Sequence, residues 1–260
     1  MRIFDTFPMN DELDMLECRL TELEEVRNLT HVIVEASVTH QDNPKPSHYL
    51  DNRERFAKWA DRIVHVWADD LPTIKDDPDP WAREHAQREH AIHGLRNAEA
   101  DDVVLHGDLD EIPRALLVRN ARPTGLIAFG MRLHCFAVDW FHPEMWRGTV
   151  ASKVGNMGRL GRQPFGAMRD SRNFAPCPPA FRDGGWHLSW MGGRDAQLRK
   201  LGAFCHPEIA DKTLEGLQGD VFYQDGLHVD GTIMEPLDVD EGWPKWVREG
   251  HAPTSWFRPR

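Results

Sequence analysis

The stretch Val103 to Pro113, Val-Val-Leu-His-Gly-Asp-Leu-Asp-Glu-Ile-Pro, limits what this chain can fold into more than any other. It opens on an apolar, β-branched run, the pattern of a strand buried on both faces. The run passes through Gly107 into three carboxylates within four residues and stops at Pro113, which has no N–H to give to a sheet ladder. A buried strand thus delivers Asp108, Asp110 and Glu111 to its carboxyl end, where ligands collect in open α/β sheets. Asp108 and Asp110, two residues apart, point to one side of an extended chain. Such paired oxygen ligands suit Mg²⁺ or Mn²⁺ shared with a substrate phosphate; the plainer reading is an acidic turn.

The rest of the composition narrows the partners. At 260 residues, 40% of them hydrophobic, the chain is long enough for one large α/β domain or two small ones. A net charge of −11 argues against nucleic acid and anionic membranes, and leaves an anionic substrate in need of a local cation. Cys18, Cys135, Cys177 and Cys205 are scattered without C-x-x-C spacing, so neither a zinc site nor a disulfide framework is expected, and a cytoplasmic location fits. No apolar run approaches the length of a membrane span.

In chain order, Arg2–Phe7 predicts a first strand, and Leu13, Leu16, Leu20 and Leu23 place an amphipathic helix after a cap at Asn10 or Asp11. His31–Val38 predicts a second strand with Glu35 inside its apolar run, where a carboxylate needs a partner. A third strand, Arg62–Trp67, runs into a second acidic pair, Asp69 and Asp70. Trp81–Ala98 predicts a helix whose stripe of Trp81, His85, Arg88, Ile92 and Leu95 faces the sheet. Arg88 on that stripe either pairs with a loop aspartate or grips a diphosphate or sugar hydroxyl. Gly125–Val138 alternates as a long strand, and Trp140–Trp146 is expected as an aromatic, proline-broken loop, either an acceptor edge or a lid over the core. Val154–Gly166 is expected as a flexible glycine-rich connection. In Gly184-Gly185-Trp186-His187-Leu188-Ser189-Trp190 a polar His187 sits in a strand-like run, and Arg194–Phe204 predicts a helix.

Asp-Leu-Asp-Glu-Ile-Pro behind an apolar strand closely resembles the metal-binding motif of glycosyltransferase family 17, and residues 185–190 match its Gly-Trp-His-x-Ser-Trp motif in full. Phe7–Leu20 with the Val-Ile-Val-Glu-Ala-Ser strand, the Trp-x-Arg-Glu-x-x-x-Arg pattern at 81–88 and the His-x-Glu at 206–208 are similar to the family as well. The resemblance implies a single-domain α/β fold of GT-A type, a mostly parallel sheet with helices on both faces. It implies a nucleotide-sugar-binding half at 1–113 and an acceptor-binding half at 114–260. The reaction it implies is metal-dependent transfer of a sugar, with UDP-N-acetylglucosamine as expected donor, to a glycan or small-molecule hydroxyl with inversion. Glu35, Asp69, Arg88, Asp108 and Asp110 are the expected donor contacts, with Mn²⁺ or Mg²⁺ on Asp110 and Asp108. His187 is a third ligand or a diphosphate donor. Glu208 and Asp225 are candidate bases, and Trp140, Trp146 and Trp186 candidate acceptor contacts. The rivals are a metal-dependent phosphoesterase, for which the Asp-x-His and Gly-Asn-His pairs are missing, and a non-catalytic sugar-binding protein using the ten tryptophans.

Overall fold

The computed structural model describes residues 1–203, 213–216, 222 and 225–258. Its first half builds as the periodicity dictates. β1 (Ile3–Met9) and β2 (Leu29–Ala36) flank α1 (Leu13–Glu22), on which Leu16 and Leu20 are fully buried. They pack with Phe7 and Ile33 on one face of the sheet, while Phe4, Val32 and Val34 pack on the other against Ala91 and Leu95. Truncating either leucine to alanine would cost about 2–5 kcal/mol. The first helical turn starts after Glu12 with no side-chain cap, so neither Asn10 nor Asp11 caps it.

Next come α2 (His48–Asp51), β3 (Ile63–Ala68) and α3 (Pro80–Glu89), the last capped by Asp79 with Pro80 at its start. The helix expected through Ala98 tightens into a 3-10 turn at His90–Leu95. That change of pitch turns Ile92 out to 47% exposure, against its expected packing on the sheet, while Leu95 stays buried. Gly94 lets the turn press on β2: a Cβ there would lie 2.2 Å from Val32 Cγ1.

β4 (Val103–His106), β5 (Glu111–Pro113) and α4 (Ala115–Asn120) lead into β6 (Ile127–Cys135), β7 (Trp140–Lys153), α5 (Pro164–Asp170), β8 (Ala180–Ser189), α6 (Gly193–Ala203), β9 (Glu235–Pro236) and α7 (Lys245–Arg248). The sheet runs β3-β2-β1-β4-β7-β6-β8-β5, with β9 added on β7. β3, β2, β1 and β4 are parallel; β7 lies antiparallel to β4 and β6, β8 runs parallel to β6, and β5 runs antiparallel to β8. This is the α/β, GT-A-type arrangement the motifs implied, one large sheet covered by helices on both faces.

Two expectations are corrected here. Residues 140–146 are not a loop but the start of β7. Pairing jumps from Leu133↔His142 to Arg132↔Met145, so Pro143 and Glu144 bulge out where no ladder N–H is needed. Residues 154–166 are not a loose connection either. They form a 3-10 turn (Val154–Leu160) and the start of α5, pinned by buried Met157 and Phe165. Among the described residues no helix is long and apolar enough to cross a membrane.

Candidate active site

The two motifs form one ladder. β5 pairs with β8 in the register Glu111↔His187, Ile112↔Trp186 and Pro113↔Gly185. Gly185 allows it, since a Cβ there would meet the Ile112 carbonyl oxygen at 2.1 Å. The ladder sets His187 beside the acidic turn.

That turn is gripped from beneath by α1. Arg19, fully buried, donates from Nε and Nη2 to both Asp5 oxygens, at 3.0 and 2.6 Å. Its Nη1 donates to the carbonyls of Asp108 (3.0 Å), Leu109 (3.2 Å) and Glu111 (2.8 Å). Burial would raise the Asp5 carboxyl, but Arg19 and His31 overcome it and hold it well below the usual range. Glu111 closes the turn from above. Its Oε2 accepts the Asp108 N–H at 3.1 Å, and its Oε1 accepts Trp146 Nε1–H at 2.8 Å and Arg172 Nη1–H at 2.5 Å.

The two aspartates face different company. Asp108 places Oδ1 against Arg88 and Oδ2 at 3.4 Å from Arg172 Nη2. Burial opposes its ionisation, yet Arg88, Arg172 and Arg169 hold it well below the ordinary value. Arg88 also donates from Nε to Glu84 at 2.5 Å, so the ion-pair reading of this residue describes its contacts. Asp110 has Oδ2 at 3.3 Å from Lys200 Nζ on α6 and Oδ1 at 3.4 Å from His187 Nε2. Burial again works against the charge, but Lys200 and His187 bring its pKa down to about 2. Behind them His106 lies 2.9 Å from Thr6 Oγ1, and burial and then Arg88 hold it neutral, well below its ordinary value.

Arg88, Asp108, Asp110, Arg172, His187 and Lys200 line a cleft of about 610 Å³ between the loop after β1, α3, the acidic turn, the end of β8 and α6. Among the described residues, cations slightly outnumber carboxylates along its wall, in a chain of net charge −11. A divalent ion fits one place in it. Asp110 offers carboxylate oxygens with the His187 ring alongside, and His187 Nδ1 is buried with no hydrogen-bond partner among the described residues. Such ions are commonly held by one or two carboxylates and substrate phosphates. Asp108 fits less well, because each of its oxygens already faces a guanidinium.

The structure therefore gathers Arg88, Asp108, Asp110, Trp146 and His187 at the cleft, and the other candidates that it describes lie elsewhere. Glu35 is fully buried and fastens α2 to the sheet, accepting from the N–H groups of His48 (2.8 Å) and Tyr49 (3.2 Å) and from Ser47 Oγ (2.5 Å). Asp69 is exposed after β3. Trp140 packs in the core against Gly226, and Trp186 is buried with its Nε1–H donated to the Gly242 carbonyl at 2.9 Å. Asp225 is exposed and outside the cleft lining, and Glu208 lies outside the described residues. A second gathering, His142, His228 and Asp230, stands away from the cleft. There Glu144 N–H donates to His142 Nδ1 at 3.2 Å, which puts that ring's proton on Nε2, facing Asp230 Oδ2 at 3.3 Å. It acts as a clasp between β7 and the loop above it.

The model for glycosyltransferase family 17 matches residues 1–213, a span that includes the acidic turn, its β8 partner and Lys200. The chain belongs to glycosyltransferase family 17. The human β-1,4-mannosyl-glycoprotein 4-β-N-acetylglucosaminyltransferase is 25% identical over 217 residues, covering 73% of this chain and 40% of the relative. The rat enzyme of the same name is also 25% identical over 217 residues. This chain thus matches less than half the length of those relatives. A mannosyltransferase from Pyrobaculum calidifontis, solved in complex with GDP-Man and Mn²⁺, aligns with a TM-score of 0.42 at 14% identity, over 85% of this chain and 69% of that one.

Three residues that hold or line this family 17 cleft carry weak signals or none in the sequence. Arg19 interrupts the apolar face of α1 between Leu16 and Leu20, a sign that a buried charge has a task. Arg172, just past α5, and Lys200, in α6, look like ordinary surface cations until the fold turns them inward.

Proposed function

We propose that this chain is a metal-dependent, inverting glycosyltransferase that takes a sugar from a nucleotide diphosphate donor to a hydroxyl acceptor. The names of the relatives give N-acetylglucosamine as the sugar they transfer, and UDP-N-acetylglucosamine is the donor proposed for this chain. The observation that carries the reading is Asp110, an ionised carboxylate 3.4 Å from His187 Nε2, in a cleft whose described wall is otherwise tilted toward positive charge. Residues 1–113 would form the main donor half, joined at the diphosphate by side chains of 114–260, the half that would meet the acceptor.

Asp110, with His187 Nε2 beside it, would hold the Mn²⁺ or Mg²⁺, which when bound supplies positive charge to the departing diphosphate. Asp108 contributes by holding Arg88 and Arg172 at the cleft wall as further charge for the phosphates. Glu111 and Arg19 keep the turn rigid, so little geometry changes on binding. The acceptor hydroxyl gives its proton to a carboxylate, and with Asp225 outside the cleft Glu208 is the stronger of the two sequence candidates. Of the three tryptophans named from the sequence as acceptor contacts, Trp146 is the one that lines the cleft and would meet a sugar face.

The test is release of nucleotide from a panel of UDP- and GDP-sugars, with Mn²⁺ or with a chelator. Release from UDP-N-acetylglucosamine that stops on chelation supports the reading. Turnover of p-nitrophenyl phosphate without any action on nucleotide sugars would replace it with the phosphoesterase.

A further inference from the structure

The cations of the cleft differ in their freedom to move. Arg88 and Arg172 have side chains 3% and 2% exposed, and each is also tied to a second carboxylate, Glu84 and Glu111. Lys200 is 28% exposed, stands on α6 at the cleft wall, and among the described residues makes a single ion pair, to Asp110 at 3.3 Å. Its ammonium lies 5.5 Å from the centroid of the Trp190 ring, another wall of the same cleft. Burial would ease loss of its proton, but Asp110 and then Glu12 raise its pKa, so it stays charged. Asp110 Oδ2, the oxygen turned from His187, is therefore already faced by a positive charge.

A divalent ion and an ammonium repel one another strongly at ligand distance, so both cannot sit on one carboxylate oxygen. A lysine is a point charge on a flexible four-carbon stem, able to leave one anion for another nearby. We propose that Lys200 is the resident counter-cation of Asp110, which a divalent metal displaces and which then binds the donor's diphosphate. This rests on the metal-dependent reading above and adds a step to it: α6 senses whether the site is loaded. Lys200 thereby keeps Asp110 satisfied in the empty protein and weakens binding of metal alone. It strengthens binding of metal and nucleotide together.

The test titrates the full chain with Mn²⁺, following free Mn²⁺ by electron paramagnetic resonance, first with no nucleotide and then with UDP by calorimetry at saturating Mn²⁺. Lys200→Met should bind Mn²⁺ alone about tenfold more tightly, and UDP at saturating Mn²⁺ about tenfold more weakly. Lys200→Gln should shift both in the same directions, and Lys200→Arg should keep the parent's Mn²⁺ affinity, with circular dichroism confirming the fold of each. The proposal needs both changes, and absence of either one overturns it. If the parent binds Mn²⁺ but Asp110→Asn binds it equally, the metal reading fails and Lys200 falls with it. If Asp110→Asn loses Mn²⁺ while Lys200→Met matches the parent, the metal reading stands and the Lys200 proposal alone is wrong.

Discussion

β3 and β4 are parallel strands of one sheet, and each ends in a pair of aspartates: Asp69 and Asp70 after the first, Asp108 and Asp110 after the second. Asp70 has a side chain 76% exposed and, among the described residues, a single partner, His90 at 2.6 Å. Asp110 is 13% exposed and sits between Lys200 and His187, and Asp108 sits between Arg88 and Arg172. The chemistry of the acids is the same; their positions are not. β3 is the edge of the sheet, with one strand beside it, whereas β4 lies between β1 and β7. Only around β4 do α1, α3, the end of α5, β8 and α6 converge to bring cations onto the carboxylates. Acidic residues after a strand are common; an encircled pair marks a site.

The contrast can be broken most forcefully at Glu111. Removing this fully buried carboxylate leaves Arg172 Nη1, the Trp146 indole and the Asp108 N–H without their acceptor, and Arg172 with only the longer contact to Asp108. Glu111→Ala should cost about 3–5 kcal/mol in urea unfolding, the usual result of unpairing a buried charge. A loss under about 1 kcal/mol would put the turn on a par with the solvated pair after β3. A smaller effect is expected at Arg88, where lysine cannot span Glu84 and Asp108 together. Arg88→Lys should lower stability by about 1.5–3 kcal/mol. Unchanged stability would mean that Arg88 is held for ligand alone. Least of all should happen at the edge strand, where Asp70→Asn should stay within about 0.5 kcal/mol by the same unfolding measurement.

The sequence makes the acids visible and hides their partners. β1, β2, β4 and α1 follow from apolar periodicity, and the turn at 108–111 from carboxylates behind a buried strand. Arg19, Arg172 and Lys200 reach that turn across 89, 64 and 90 residues of sequence, and no local pattern records such distances. The aromatic stretch at 140–146 misleads for another reason. Pro143 forbids a regular ladder, but a bulge absorbs it, so a strand survives and buries Trp140 instead of offering it to a sugar. Trp186 misleads in the same way: its indole lies in the core while its neighbour His187 points to the acid. Alternation along β8 decides that difference.

The proposed role of Asp110 is to bind metal and nucleotide together. The direct measurement is calorimetric titration of UDP into the parent and into Asp110→Asn, each with Mn²⁺ and with a chelator. The parent should bind UDP with Mn²⁺ and lose at least about tenfold in affinity on chelation, whereas Asp110→Asn should bind weakly in both conditions, consistent with loss of a charged contact or metal ligand. Equal, Mn²⁺-dependent binding of UDP by parent and Asp110→Asn would contradict it.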